Sequence, residues 1–558
     1  MTTPSRRRPV LALLAGAAVL ALGSCTPPEG ADEPFDVVEA TIPDMQRAME
    51  EGRLTSRELV EAHLLRIALY EERVNATIAV NPRALEVADS LDRERAAGRV
   101  HGPLHGVPVA LKDNIHTTEM PTTGGALAFR GYTPPYEATL AANLEDAGAI
   151  ILAKTVMTEL ANFMASGMPG NYSAVGGQGL NPYDPRRDPR EGRDDGRPVM
   201  RVRGSSSGIG TAMSFWAGNV GTETSGSILS PSHATMLAGV KPTVGRVSRW
   251  GVIPITADQD TPGPMARTVT DAAILLGAME GREPDPNDPA TDRCAPPPDN
   301  DYTAFLDADG LQGARIGIPR AYYYDPVEVP GSDRTRGGLS DAERAAMDEA
   351  IDVLERQGAT VVDPADIPSV VDPDPEGNFL LNGRSSVLSY GMKRDFNAWL
   401  ETLGVTAPVA TLTELREWNL GHRAAGALKY EQARLDGADA LDLEADRAAY
   451  EEDRARDLRL AGEHGIDEVM DALDLDALLF PGPSSASLAA RPGYPTVIVP
   501  FTLIEGEYDP PLPEGFEPRP EPFGVGFTGG PCSEPRLLEL AYAFEQATHG
   551  RVPPPGWR

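Results

Sequence analysis

Apolar residues fall along this chain in short runs with two different periods. Val60, Leu64 and Ile67 recur at helical spacing behind Thr55-Ser56-Arg57-Glu58, which reads as a capping box: a threonine hydroxyl takes an N–H three residues on, and a glutamate returns the bond. Residues 107–111 (Val-Pro-Val-Ala-Leu) form a continuous apolar run of strand length, and similar runs at 149–153, 315–318, 477–480 and 496–501 predict further strands. Helices are expected around 139–147, after Gly208 and over 535–548. Strands interleaved with helices predict an α/β fold, a largely parallel or mixed sheet covered by helices. The proline- and charge-rich stretches 186–197, 284–301, 326–341 and 506–522 are expected on the surface, and none has the character of an interdomain linker.

The N-terminus follows another pattern. Arg6, Arg7 and Arg8 precede an apolar run over 10–22, and Leu22-Gly23-Ser24-Cys25 places a cysteine directly after small residues. This order predicts a lipoprotein-type signal peptide over 1–24, with acylation of Cys25; an ordinary secretory signal is the alternative. The run is shorter than the ~20 residues of a transmembrane helix. Residues 25–35 then form a tether and 36–558 a single domain. The expected address is exported, lipid-anchored to the extracytoplasmic side of a membrane, with no other membrane contact.

Composition narrows the partners. The chain is 41% hydrophobic and carries a net charge of −33, which repels nucleic acid phosphates. It has only five lysines, so a lysine inside a motif stands out. Cys294 and Cys532 are widely separated and have no metal-site spacing; whether they pair is left open. The eight histidines form no HxxxH or HExxH cluster, so neither a metal nor another cofactor is expected.

The chemistry concentrates in three segments: Lys112 at the end of the 107–111 run, Gly204-Ser205-Ser206-Ser207-Gly208, and Gly221-Thr222-Glu223-Thr224-Ser225-Gly226-Ser227. Amide cleavage needs an activated nucleophile, a proton carrier and donors aimed at the oxyanion. Ser227 is the expected nucleophile, with the amides of Thr224, Ser225, Gly226 and Ser227 as the oxyanion hole, because small residues let several N–H groups turn toward one point. Lys112 is the expected base, kept neutral by burial. Ser206 is expected to relay the proton between them, since a hydroxyl both donates and accepts.

These segments closely resemble the amidase signature family of Ser-cisSer-Lys hydrolases. Gly106-Val107-Pro108-Val109-Ala110-Leu111-Lys112-Asp113-Asn114, the two serine loops, Gly239-Val240-Lys241-Pro242-Thr243, Asp260-Thr261-Pro262-Gly263-Pro264 and Pro492-Gly493-Tyr494-Pro495 stand in family order. The resemblance implies a single large α/β/α domain around a twisted mixed sheet, acyl transfer from a small-molecule or peptide amide to water through an acyl-enzyme, a cis peptide bond at Ser206, and a substrate loop at Met164, Ala165 and Ser166, where the neighbouring Phe163 and Met164 hint at an apolar pocket. Three departures stand out: Ser206 and Ser227 are 21 residues apart, about three fewer than usual; Arg203 replaces a glycine; Leu229 replaces an arginine. Two other readings remain. Gly204-Ser205-Ser206-Ser207-Gly208 also satisfies GxSxG, which would make Ser206 the nucleophile of an esterase with His464 or His549. A non-catalytic lipoprotein that binds amides is the second. The related glutaminyl-tRNA amidotransferase subunit fits poorly, because an exported acidic chain would meet no tRNA. Oligomeric state is not legible.

Overall fold

The computed structural model describes residues 35–330 and 335–557. The expected signal peptide and all of the tether but Phe35 lie outside them. Asp36–Arg558 forms one compact unit, built on an eleven-stranded mixed sheet. In chain order its strands are β1 (Thr77–Val80), β2 (Pro108–Lys112), β3 (Ile150–Thr155), β4 (Gly218–Glu223), β5 (Ala238–Lys241), β6 (Thr261–Ala266), β7 (Arg315–Gly317), β8 (Thr360–Val362), β9 (Ala477–Pro481), β10 (Thr496–Ile504) and β11 (Glu521–Thr528). Across the sheet they run β1-β3-β2-β4-β6-β5-β10-β11-β9-β7-β8.

β2 is parallel to both of its neighbours, β3 and β4. A strand enclosed this way is buried on both faces, which is why 107–111 reads as an unbroken apolar run. β4 then pairs antiparallel with β6, which brings the ends Glu223 and Thr261 side by side. β6 contains Pro262 and Pro264, unusual inside a sheet. Both lie where β6 is paired only with β4; β5 joins it at Met265 and Ala266.

The capping box forms as the sequence predicts. The Glu58 N–H donates to Thr55 Oγ1 (3.1 Å) and the Thr55 N–H to Glu58 Oε2 (2.8 Å), opening the helix Ser56–Val74. Val60 and Ile67 enter a core shared with Ala110, Ile150, Leu152, Phe215 and Trp216, and Leu64 packs at its edge. The helices Thr139–Asp146 and Glu534–Thr548 match expectation, whereas the helix after Gly208 is a single turn, Ile209–Ala212. The Trp216 ring fills the space a Cβ on Gly210 would need, and its Nε1–H donates to Thr211 Oγ1 (2.8 Å) just before the chain enters β4. A second apolar core joins Phe163, Met164, Ile253 and Ile255 to Phe396, Trp399 and Leu400 of the helix Val387–Leu403.

Cys294 and Cys532 form a disulfide with a Cα–Cα distance of 5.6 Å across 238 residues of sequence. It fastens the 284–301 loop to the segment preceding the helix Glu534–Thr548. A cross-link closing so long a loop stabilises chiefly by restricting the unfolded chain, so replacing both cysteines with serine is expected to cost about 2–5 kcal/mol, read as a lower unfolding temperature and an earlier denaturant midpoint.

Candidate active site

Lys112 ends β2 and is wholly buried. Its Nζ lies 2.8 Å from Ser205 Oγ and donates to Thr222 Oγ1 (2.8 Å) and the Thr222 carbonyl (3.1 Å) on β4. Burial pushes the amine down to about 7 from the usual 10.5, while the carboxylates of Asp260 and Glu223 pull the other way. The adjacent Asp113 is no partner for it: that carboxylate accepts from Thr123 Oγ1 and stands 3.9 Å from Lys154 Nζ.

The serine reaching Lys112 is Ser205, one residue earlier than the relay expected from the sequence. Ser206 turns toward the sheet, where its hydroxyl donates to the Thr222 carbonyl and accepts from the Thr222 N–H, both at 3.1 Å. Its backbone N–H donates to the Ser227 carbonyl (3.1 Å), joining the two serine loops directly. The expected cis bond at Ser206 is absent; among the described residues, cis bonds occur only before Pro364 and Pro510. The loop turns instead at Gly204, with φ +75°, where a Cβ would come within 2.8 Å of the Gly226 carbonyl and 2.7 Å of Pro231. Arg203 does not crowd the turn, because its side chain is exposed. Thr158 and Asn171 hold the loop from behind: Thr158 Oγ1 donates to the Gly204 carbonyl (3.0 Å) and Asn171 Nδ2 to the Ser206 carbonyl (3.2 Å).

The second serine loop leaves β4 at Glu223, whose Oε2 accepts from the N–H groups of Ile228 (2.7 Å) and Leu229 (3.0 Å) and so closes the loop on itself. Among the described residues the N–H groups of Thr224, Ser225, Gly226 and Ser227 have no acceptor. Gly226 sits at φ +83°, a conformation costly to any residue with a Cβ. Ser227 keeps 8% of its surface, and its hydroxyl has no partner among the described residues. Leu229, in place of the arginine, is buried against Ala486 and Ile498.

Met164 and Ala165 are buried and Ser166 is exposed. Phe163 and Met164 pack into the apolar core with Phe396 and Trp399. Just before them Leu160, Ala161 and Asn162 stand at φ +45°, +52° and +69°, a left-handed turn costing about 1–2 kcal/mol per residue. Ala161 lines a small cavity with Asn114, Thr222, Thr224 and Asp260. Beyond it a cavity of about 230 Å³ is walled by Tyr136, Trp250, Val252, Asp260 and Trp399.

The esterase arrangement finds no support. Ser206 is buried and bonded to backbone, His464 is engaged by Glu468 (2.6 Å) and Asp372 (3.0 Å), and His549 is an exposed cap of the last helix. Among the described residues no three His, Cys, Asp or Glu side chains cluster as metal ligands.

The amidase family model matches residues 58–538, a span that contains Lys112 and both serine loops. The chain belongs to the amidase family. It is 34% identical to a probable amidase from Arabidopsis thaliana, over 98% of this chain and 97% of that one. Its structure is similar to the peptide amidase of Stenotrophomonas maltophilia (TM-score 0.78, 37% identity, covering 93% and 99% of the two chains) and to an amidase family protein from Bacillus anthracis (TM-score 0.78, 29% identity, 93% and 92%). As a member of the amidase family it is an enzyme that hydrolyses amide carbon–nitrogen bonds.

Thr222, Thr158, Asn171 and Asp260 had not been singled out from the sequence as site residues, although Thr222 and Asp260 lie inside the motifs. The geometry separates the two neighbouring serines: Ser205→Ala is expected to lower kcat by about 10²–10⁴-fold, the range of a lost proton carrier. Ser206→Ala is expected to retain most turnover while melting at lower temperature, and amide hydrolysis assays with thermal melts on both variants check this.

Proposed function

We propose that this amidase works through an acyl-enzyme, with Ser227 as nucleophile, Ser205 as relay and Lys112 as base. The observation carrying this reading is the 2.8 Å approach of Ser205 Oγ to an amine that is fully buried and titrates near neutrality. Ser227 Oγ attacks the amide carbonyl carbon while its proton passes through Ser205 to Nζ. The oxyanion is received by the free N–H groups of residues 224–227. Collapse breaks the carbon–nitrogen bond, and the proton returns through Ser205 to the leaving nitrogen. Water then attacks the ester, gives a proton to the same relay, and frees the carboxylic acid with the Ser227 hydroxyl restored.

For the substrate we infer linear amides, peptides with an amidated C-terminus foremost, a class supported by likeness to a peptide amidase along nearly the whole chain. For the address we infer export and anchoring through Cys25. The disulfide supports it, since such bonds persist in oxidising compartments.

Only the neutral amine can accept a proton, so activity falls as pH drops. On an amidated dipeptide kcat/KM should climb about tenfold per pH unit below 7 and level off above ~8. Lys112→Ala should lose far more at pH 7 than at pH 10, and a profile flat down to pH 5 would reject the amine base. For the anchor, Cys25→Ala is expected to abolish the lipid adduct seen by mass spectrometry and to release the protein from the membrane fraction; unchanged fractionation would reject it.

A further inference from the structure

β4 and β6 are antiparallel neighbours, and their paired ends, Glu223 and Thr261, are followed outward by Thr224 and Asp260. Thr224 opens the loop whose N–H groups are free; Asp260 closes the loop that follows Ile255. The Thr224 hydroxyl donates to Asp260 Oδ1 at 2.5 Å, while Oδ2 accepts the N–H groups of Ile255 (2.8 Å) and Thr256 (2.9 Å). The Gln259 amide adds a bond to the Thr224 carbonyl (3.1 Å), so Thr224 is gripped at its side chain and its backbone. Asp260, with Arg249 and Val252, lines both the small cavity beside Thr222 and the larger aromatic one, so it stands in the wall they share.

This is an expensive place for a carboxylate. Burial raises Asp260 to about 6, against the opposing pull of its three hydrogen bonds and of Arg249. Arg249 is held by Asp288 (2.5 Å) and does not ion-pair with Asp260. The Lys112 amine on β2 feels the Asp260 carboxylate, and that of Glu223 on β4 as well. An asparagine could not keep all three bonds as they stand: its amide nitrogen accepts none, so either the Thr224 hydroxyl or the Ile255 and Thr256 N–H groups would lose their acceptor.

We propose that Asp260 is a positioning residue for amide hydrolysis: by fixing Thr224 it holds the N–H groups of residues 224–227 in the geometry that receives the oxyanion, at the wall between the reacting centre and the aromatic cavity. The inference rests on the reading of that loop as the oxyanion site. It assigns Asp260 no contact with the substrate's reacting atoms. Its charge has a second effect, because a carboxylate near the Lys112 amine favours the protonated form.

The test compares Asp260→Asn, Thr224→Val and the double variant on an amidated dipeptide across pH 5.5–9.5, alongside the rate at which a fluorophosphonate labels Ser227. Asp260→Asn is expected to lower kcat and the labelling rate together, about 10- to 100-fold, the scale of a sub-ångström loss of alignment, with KM nearly unchanged. Its acidic limb should also shift to lower pH, since Lys112 then releases its proton more readily. Thr224→Val should lower kcat to a similar degree with the limb in place, and the double variant should be no slower than the slower single one. Wild-type kcat and pH profile in Asp260→Asn, a change confined to KM, or additive losses in the double variant would overturn the proposal. Labelling that persists in Ser227→Ala would instead overturn the reading of Ser227 itself, independently of Asp260.

Discussion

The site depends on keeping one amine out of water. Lys112 is carried on a strand enclosed by parallel neighbours, and its head meets two hydroxyls and a carbonyl. Desolvation brings the amine down to about 7, and the carboxylates of Asp260 and Glu223 oppose that fall. Both carboxylates also brace the second serine loop, one through Ile228 and Leu229, the other through Thr224. The same two side chains therefore act both on the amine and on the loop of residues 224–229.

Closeness of this order requires a sheet surface almost without side chains. A Cβ on Gly221 would lie 2.7 Å from Ser206 Oγ, and one on Gly263 only 2.1 Å from the Val240 carbonyl. The serine loops rest on strand backbone, which lets Ser206 bridge Thr222 and Ser227 through main-chain bonds. The left-handed turn at 160–162 fits the same economy of space, since Ala161 lines the small cavity with Asn114, Thr222 and Asp260.

Much of this was legible in the amino-acid order and some was not, for identifiable reasons. Strands rich in β-branched and large apolar residues, such as β2, β3, β9 and β10, announced themselves. β4, β5 and β6 did not, because Gly-Asn-Val-Gly-Thr-Glu, Ala-Gly-Val-Lys and Thr-Pro-Gly-Pro-Met-Ala have the composition of turns; their smallness serves the loops above, and strand propensity does not report it. That Lys112 and the two serine loops would come together was legible. Which serine reaches Lys112 was not, since adjacent serines differ only in where the loop points them. The pairing of Cys294 with Cys532 likewise depends on long-range topology.

Three of the five lysines, Lys112, Lys154 and Lys241, are wholly interior, leaving Lys429 and part of Lys393 outside. The exterior cations are thus nearly all guanidinium groups, which stay charged beyond pH 12. From neutrality into moderately alkaline solution these guanidinium groups keep their charge, a constant positive background for whatever titrates beside them.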